Sequence, residues 1–264
     1  MKPIVQSLWV GNNLSIMEAY SIKSFLRLGY DFHLYTYEKV KNIPIGTTIK
    51  AGTKILPKKA IFKLKETFLP FADIFRYKML YENGDYWIDL DMIAIKKMDF
   101  NAPYVFSSER VMKKGAFALK DKSIDYVANI GILKAPKHSP FYLELFNKCM
   151  EHQKKGINKD KLKYMRMLRA QIDEYGYQKY IHKPRDFCNL DWWHAKDAFM
   201  PVKNFKEKYG VPGQTYSSMI NGTYTIHFWR DLVTKKYKLD LNGKYDSECL
   251  WEKMKKNEEV FSMI

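Results

Sequence analysis

The fold is decided by residues 4–37, which read IVQSLWVGNNLSIMEAYSIKSFLRLGYDFHLYTY. The pattern predicts a short apolar strand, a Gly-Asn-Asn turn, and then a helix that Ser15 begins as the N-cap, with Glu18 at the third helical position of a capping box. Gly29 is a natural C-cap for this helix, and residues 32–37 form the next strand. A strand, a helix and a second strand in this order indicate an α/β fold with a parallel sheet.

Two aspartates, Asp89 and Asp91, lie in an apolar stretch that predicts a strand over 86–95. Because alternate residues of a strand face the same side, the two carboxylates can share one divalent cation. Oxygen ligands suit Mn²⁺ or Mg²⁺, and such an ion can bridge a diphosphate and neutralise the charge that builds on it as a sugar leaves. A D-x-D pattern also arises by chance on solvated surfaces, but carboxylates inside an apolar strand need a cation or a basic partner.

The preceding helix, predicted over 67–83, carries one polar pair on an otherwise apolar face. Asp73 and Arg76 are spaced i and i+3, so their side chains are neighbours, and Tyr77 shares their face. One interpretation is a surface or half-buried ion pair that contributes little to stability. The other is that Asp73 accepts hydrogen bonds from the hydroxyls of a sugar donor while the Arg76 fork binds donor oxygens.

The region around these four polar residues resembles a known family. Residues 71–91, FADIFRYKMLYENGDYWIDLD, resemble the sugar-binding D-x-D region of GT-A glycosyltransferases. The similarity is greatest to the family 32-like enzymes and more distant to the large clostridial glucosylating toxins. Residues 6–11, QSLWVG, also resemble the first strand of those enzymes, which carries part of the nucleotide site. The likeness covers about residues 4–100.

The resemblance implies one catalytic domain over residues 1–264 with a GT-A fold, which is a Rossmann-like, mixed and mainly parallel sheet flanked by helices. The half over about 1–100 would bind the nucleotide sugar, and a more helical half over about 101–264 would bind the acceptor. The implied activity is that of a metal-dependent hexosyltransferase that retains the anomeric configuration. UDP-glucose or UDP-galactose is the expected donor, with GDP-mannose left open. The expected acceptor is a glycan, as in polysaccharide biosynthesis, or another hydroxyl acceptor, with a lipid-linked saccharide and a protein left open.

The resemblance also implies roles for residues. Asp89 and Asp91 would bind the metal and the diphosphate, and are therefore the expected catalytic residues, while Trp9 would lie near the nucleotide base. The complete set expected to bind the donor is Trp9, Val10, Asp73, Arg76, Tyr77, Trp87, Asp89, Leu90 and Trp229. The departures from the family pattern are Ala72, Asp85 and Trp87. They bear on the donor preference or the shape of the sugar pocket and leave the metal pair intact.

His227 lies in a late apolar segment and resembles a histidine of related enzymes that completes the metal site or touches the diphosphate. A neutral imidazole is a reasonable third ligand for Mn²⁺ beside Asp89 and Asp91. In that case Trp229 would line the donor pocket. A single histidine in an apolar strand is also commonly a core residue, so both interpretations stay open.

Four residues of the second half are candidates for the acceptor site. Asn129 begins a segment that resembles the family's return to the cleft, although a plain turn explains it equally well. Asp191, Trp192 and Trp193 combine a carboxylate that can hold hydroxyls with rings on which a sugar can stack, although adjacent tryptophans are often core residues. Asp191 is also the best candidate for the nucleophile of a double displacement; otherwise the departing phosphate would deprotonate the acceptor.

Composition limits the partners and the location. The net charge of +16 comes from lysines scattered from end to end, which favours an ordinary solvated surface over attraction to an anionic partner. We expect no nucleic acid partner, because no recognisable binding module occurs. The chain has neither a signal-peptide core nor an apolar run near the ~20 residues of a membrane span, and its three cysteines form no C-x-x-C pair. We expect a cytoplasmic protein, in the host cytoplasm if it is virus-encoded, with peripheral membrane contact left open.

Three other functions compete with a glycosyltransferase. A two-metal nuclease or phosphodiesterase suits the basic charge and the paired aspartates, but it leaves Asp73 and Arg76 without a role. A sugar nucleotidyltransferase normally has a glycine-rich loop after its first strand, where this chain has only VGNN at 10–13. A non-catalytic sugar-binding module would need neither an intact D-x-D pair nor Arg76.

Overall fold

The computed structural model describes residues 2–115, 118, 120, 123–156, 160, 162–201 and 215–256. The strands are β1 (Ile4–Trp9), β2 (Asp31–Thr36), β3 (Thr48–Ala51), β4 (Asp85–Ile88), β5 (Met92–Ala94), β6 (Val105–Arg110), β7 (Tyr126–Ala135) and β8 (Thr225–His227). The α-helices are α1 (Ile16–Arg27), α2 (Leu69–Asn83), α3 (Pro140–Lys154), α4 (Lys163–Glu174), α5 (Pro184–Phe187), α6 (Tyr216–Ile220) and α7 (Leu250–Lys256).

The main sheet has six strands in the order β3-β2-β1-β4-β7-β6. The pairs β3–β2, β2–β1 and β1–β4 are parallel, and β7 runs antiparallel to both β4 and β6. Five strands therefore share one direction and β7 is reversed. The expected mixed, mainly parallel sheet flanked by helices is confirmed.

The first β-α-β unit forms as the sequence predicts. The carboxylate of Glu18 accepts a hydrogen bond from the backbone N–H of Ser15 at 2.7 Å, which closes the capping box of α1. Gly29 follows the helix with a φ of +81°, a conformation that glycine adopts readily. The chain then returns as β2, which pairs with β1 from Ile4 opposite Asp31 to Trp9 opposite Thr36.

The two faces of the sheet bury separate clusters of apolar side chains. Along β4, Tyr86 and Ile88 belong to the cluster that contains Phe25 of α1. Trp87 belongs to the opposite cluster, where it meets Phe75 of α2 with ring centroids 6.4 Å apart. Since α2 also packs against α3 and α4, these helices cover one face and α1 covers the other. A third cluster gathers residues of α7 and other late segments together with Met17 of α1 and Ile93 of β5.

The prediction of one continuous strand over 86–95 is wrong, because the chain turns in the middle of that range. The chain leaves the main sheet after Ile88 and turns, with the N–H of Met92 donating to the carbonyl of Asp89 at 3.0 Å. It then forms β5, which pairs with β8 in a separate antiparallel sheet. Asp89 and Asp91 therefore lie on a turn between two sheets, and alternation along one strand does not set their direction.

The second half is the more helical one, as expected. Among the described residues, five of the seven α-helices follow residue 100. No helix in the described part of the chain is long and apolar enough to cross a membrane. Cys149, Cys188 and Cys249 are buried free thiols.

Candidate active site

The D-x-D turn is held in place by its backbone. The N–H of Asp89 donates to the carbonyl of Gly131 in β7 at 2.8 Å. The carbonyl of Asp91 accepts from the N–H of Phe228, just after β8, at 2.9 Å. One end of the turn is thus fixed to the main sheet and the other end to the small sheet.

The small sheet brings His227 to this turn, because Met92 of β5 pairs with His227 of β8. The Nε2 of His227 lies 3.2 Å from the Oδ2 of Asp91. One ligand atom from each of Asp89, Asp91 and His227 lies within 4.8 Å of the others. Two carboxylates and an imidazole suit Mn²⁺ and, less closely, Mg²⁺, so these three residues could hold a divalent cation. The structure therefore groups all three residues that were expected to bind metal.

Asp91 and His227 shift each other's pKa. Burial raises the pKa of the Asp91 carboxyl, but the charge and hydrogen bond of His227 outweigh it and hold that pKa below its ordinary value. Burial lowers the pKa of His227, but the Asp91 carboxylate opposes it and raises that pKa well above its ordinary value. In the metal-free state His227 and Asp91 therefore form an ion pair, and a cation that binds there would replace the imidazole proton.

The Arg76 guanidinium pairs with both Asp73 and Asp89. This guanidinium, on a side chain only 1% exposed, lies 3.1 Å from the Oδ1 of Asp73 and 3.0 Å from the Oδ1 of Asp89. It also donates to the carbonyl of Ile130 at 2.7 Å and lies 4.7 Å from the ring of Trp87. The predicted Asp73–Arg76 pair is thus present. It is fully buried, whereas one interpretation of the sequence was a surface or half-buried pair.

The two oxygens of Asp89 differ in their surroundings. The Oδ1 accepts from the Nε1 of Trp87 at 2.9 Å as well as from Arg76. Among the residues that the structure describes, none donates to the Oδ2, and the side chain of Asp89 is 23% exposed. The protein thus fixes one oxygen and leaves the other for a ligand.

Asp73 is a buried carboxyl with a strongly raised pKa. Burial raises its pKa to about 7, with Arg76 lowering it and the Asp89 carboxylate raising it further. Burial also raises the pKa of Asp89, and Arg76 opposes that rise. The interpretation that Asp73 and Arg76 contact a donor sugar stays a prediction, because both side chains are enclosed by protein here.

Some of the expected donor residues lie beside the metal candidates or at the neighbouring strand end, and others lie in the core around α2. Trp229 stacks on His227 with ring centroids 3.8 Å apart, and Trp9 ends β1, the parallel neighbour of β4. Leu90 lies in the D-x-D turn. Val10 and Tyr77 instead pack in or against the cluster around α2, where the hydroxyl of Tyr77 donates to the carbonyl of Tyr164 at 3.1 Å.

Asn129 is joined to the metal candidates through a cysteine. Its Nδ2 donates to the Sγ of Cys188 at 3.2 Å, and that sulfur lies 3.7 Å from the Nδ1 of His227. Its Nδ2 also lies 3.5 Å from the Oε2 of Glu109. Asn129 is therefore a buried neighbour of the site, and a contact with the acceptor stays a prediction.

The other acceptor candidates lie in one segment beside Trp229, whose Nε1 donates to the carbonyl of Leu190 at 2.8 Å. The carboxylate of Asp191 forms an ion pair with Arg110 at 2.8 Å. Burial raises the pKa of Asp191, and Arg110 opposes it. Trp193 is a core residue, and Trp192 packs on it edge to face at 5.3 Å while remaining half-buried.

Sequence reasoning missed three neighbours of this site. The backbone N–H of Arg230 donates to the Oδ2 of Asp91 at 2.8 Å. Cys188 contacts His227 as described above. Burial raises the pKa of Glu109, while Arg169 and His227 lower it. The sequence offers no motif for Cys188 or Glu109, and the only signal for Arg230 is its place directly after the His-Phe-Trp segment.

No family model matches the chain. No curated protein matches it either. Among solved structures, the chain is similar to the PaToxG glycosyltransferase at 13% sequence identity, with a TM-score of 0.47, over 66% of this chain and 69% of that one. A likeness at this level carries no information about activity.

Proposed function

We propose that this protein is a metal-dependent glycosyltransferase that moves a hexose from a nucleotide diphosphate sugar, in first place a UDP-sugar, to a hydroxyl of a glycan. The observation that carries the proposal is that Asp89, Asp91 and His227 lie close enough to share a cation, while Asp89 also contacts the buried Asp73–Arg76 pair. Support also comes from its position, because the turn follows the carboxyl end of β4, and open α/β sheets bind ligands at that end of their strands.

The donor set suits Mn²⁺ first and Mg²⁺ second, since an imidazole stands beside two carboxylates. When bound, such an ion neutralises the negative charge of a departing diphosphate. The residues of the chain prepare for it: Arg76 and Trp87 fix the Oδ1 of Asp89, and His227 and the N–H of Arg230 hold the Oδ2 of Asp91. In this proposal the Asp73–Arg76 pair positions Asp89 and so affects donor binding indirectly.

The proposed transfer retains the anomeric configuration. The bond between the anomeric carbon and the diphosphate oxygen breaks, and a bond from that carbon to the acceptor oxygen forms on the same face. The acceptor proton passes to the departing diphosphate, which therefore serves as the base. We favour this route over a nucleophilic Asp191 because that residue is 2% exposed and ion-paired with Arg110 at 2.8 Å.

The proposal extends to the organisation of the chain. Trp9, Trp229 and the D-x-D turn would form the donor side, largely from residues 1–100, and the segment after Leu190 would contribute to the acceptor side. UDP-glucose or UDP-galactose remains the first choice of donor. Free, buried cysteines suit a reducing compartment, and we propose a cytoplasmic location on that ground.

Calorimetric titration of a panel of nucleotide sugars tests this function. Each donor is titrated with Mn²⁺ and with EDTA into the wild type, into Asp91→Ala and into Asp31→Ala. The control removes a different Asp–His pair, in which Asp31 lies 3.0 Å from His33. We expect one diphosphate sugar to bind only with Mn²⁺, in the wild type and the control but not in Asp91→Ala. Absence of binding by folded wild type that has taken up Mn²⁺ would contradict the proposal.

A further inference from the structure

Arg230 lies where the metal candidates and the end of β1 meet. Its backbone N–H donates to the Oδ2 of Asp91, and its guanidinium carbon lies 5.2 Å from the ring of Trp9. The side chain is 36% exposed. A permanent positive charge is therefore available to solvent at the edge of the candidate metal site.

Glu18 holds this guanidinium in place. Its carboxylate is fully buried in the first turn of α1. The Oε2 accepts from the backbone N–H of Ser15 at 2.7 Å and so caps the helix. The Oε1 accepts from the Nε of Arg230. One carboxylate thus completes the capping box and also anchors the arginine, and a buried carboxylate requires such partners.

The guanidinium retains unused donors. An arginine has five N–H donors. Apart from the Nε, the guanidinium nitrogens of Arg230 have one carboxylate neighbour in the described part of the chain: the Oδ1 of Asp231, which lies 3.9 Å from the Nη1. Arg76, the guanidinium that pairs with Asp89, is buried and already contacts Asp73, Asp89 and the carbonyl of Ile130. Of these two arginines, only Arg230 has donors free for a ligand.

We infer that Arg230 binds the diphosphate of the nucleotide sugar, and that Glu18 is the positioning residue that orients it; this inference rests on the proposed function. Two ligand carboxylates already offset the charge of a divalent cation, so the charge of a diphosphate needs a further positive group. A guanidinium matches phosphate oxygens with paired N–H donors. Its contact with Trp9 sets it between the expected sites of the base and the metal.

Binding of inorganic pyrophosphate in the presence of Mg²⁺, measured by calorimetry, tests the inference without assuming a base or a sugar. Arg230→Gln should weaken pyrophosphate binding roughly tenfold or more, because a hydrogen bond to a charged group is lost. Glu18→Gln should weaken it less, since glutamine still serves a capping box while the anchoring charge is gone. Affinity for Mg²⁺ alone should stay within about twofold in both variants. A substitution that disrupted the structure of the site would lower the affinity for Mg²⁺ as well.

Two further variants keep the result interpretable. Arg230→Gln leaves Glu18 buried without its partner, so the double variant Glu18→Gln with Arg230→Gln removes both charges and should show the same loss of pyrophosphate binding. Arg166→Gln breaks the ion pair between Arg166 of α4 and Asp160, which precedes that helix, and should leave binding unchanged. Thermal melting confirms that each variant is folded.

The outcomes separate the inference from the proposed function. Wild-type affinity for pyrophosphate in Arg230→Gln would overturn the inference and leave the glycosyltransferase proposal standing. Absence of pyrophosphate binding in wild type that binds Mg²⁺ would also overturn it. Arg230-dependent binding of pyrophosphate in a protein that binds no nucleotide sugar would keep Arg230 as a diphosphate ligand but overturn both its role toward a nucleotide sugar and the proposed function.

Discussion

The Nε2 of His227 lies 3.2 Å from the Oδ2 of Asp91, although 136 residues separate the two in the chain. The backbone sets this distance, since Met92 pairs with His227 across the small sheet and Phe228 donates to the carbonyl of Asp91. An imidazole and a carboxylate held in this way form an ion pair without metal and, in the proposed function, would be two ligands of a bound metal.

Loss of the imidazole should weaken metal binding. Loss of a residue that only hydrogen-bonds to a metal ligand weakens metal binding roughly 10–100-fold. Because His227 would itself be a ligand, we expect His227→Gln to lower the affinity for Mn²⁺ by more than that. Electron paramagnetic resonance of free Mn²⁺ measures this. His33→Gln, which removes the imidazole of the Asp31–His33 pair on β2, should bind Mn²⁺ like the wild type. Equal affinities of the two variants would show that His227 is not a ligand.

The sulfur of Cys188 should orient His227. An Nδ1–H that donates to this sulfur leaves the lone pair of the Nε2 for a metal, and the two atoms are 3.7 Å apart. We expect Cys188→Val to lower Mn²⁺ affinity roughly tenfold. Cys149→Val changes another fully buried cysteine, in α3, and should leave the affinity within about twofold. A loss of the same size in both variants would assign the effect to packing.

The Arg76 guanidinium should dominate the stability of the metal-free site. Removal of one partner of a buried ion pair costs about 3–5 kcal/mol, so we expect Arg76→Met to lower the free energy of unfolding by about that much in urea. The double variant Arg76→Met with Asp73→Asn should recover part of the loss, because one of the two stranded carboxylates is neutralised. Additive losses would show that Asp73 and Arg76 are not coupled.

The pKa of Asp73 predicts the direction of a pH effect. Burial raises that pKa from 3.8 to about 7, so the folded protein binds a proton that the unfolded chain releases between these values. Stability from this group is therefore full below pH ~4 and falls as the pH rises toward 7. Relative to Asp73→Asn, the wild type should lose about 2–3 kcal/mol between pH 5 and pH 8 in EDTA, because one pKa unit corresponds to about 1.4 kcal/mol. A difference that does not change with pH would contradict the assignment.

Local patterns made part of this structure predictable. The capping box of Ser15 and Glu18 and the i, i+3 spacing of Asp73 and Arg76 are short-range features, and both form as expected. The resemblance of residues 71–91 and the late histidine to known enzymes further pointed to the grouping of Asp89, Asp91 and His227.

Contacts between distant segments were not predictable. The turn at Asp89 to Asp91 exists because the chain leaves one sheet for another, and an apolar run carries no signal of that change. The second bond of Glu18, to Arg230, spans 212 residues and depends on how α1 packs against β5, the strand that pairs with β8. The burial of Arg76 likewise depends on β7, whose Ile130 carbonyl it contacts.

The most direct test of the account is donor cleavage followed by proton NMR. UDP-glucose, UDP-galactose and GDP-mannose are each incubated with the wild type and with Asp91→Ala, with Mn²⁺ or with EDTA, beside a phosphodiester substrate. We predict slow release of nucleoside diphosphate and free sugar from one donor, only by the wild type with Mn²⁺, with the phosphodiester intact. Intact donors together with cleavage of the phosphodiester by the Mn²⁺-loaded wild type would contradict the account and indicate a nuclease or phosphodiesterase.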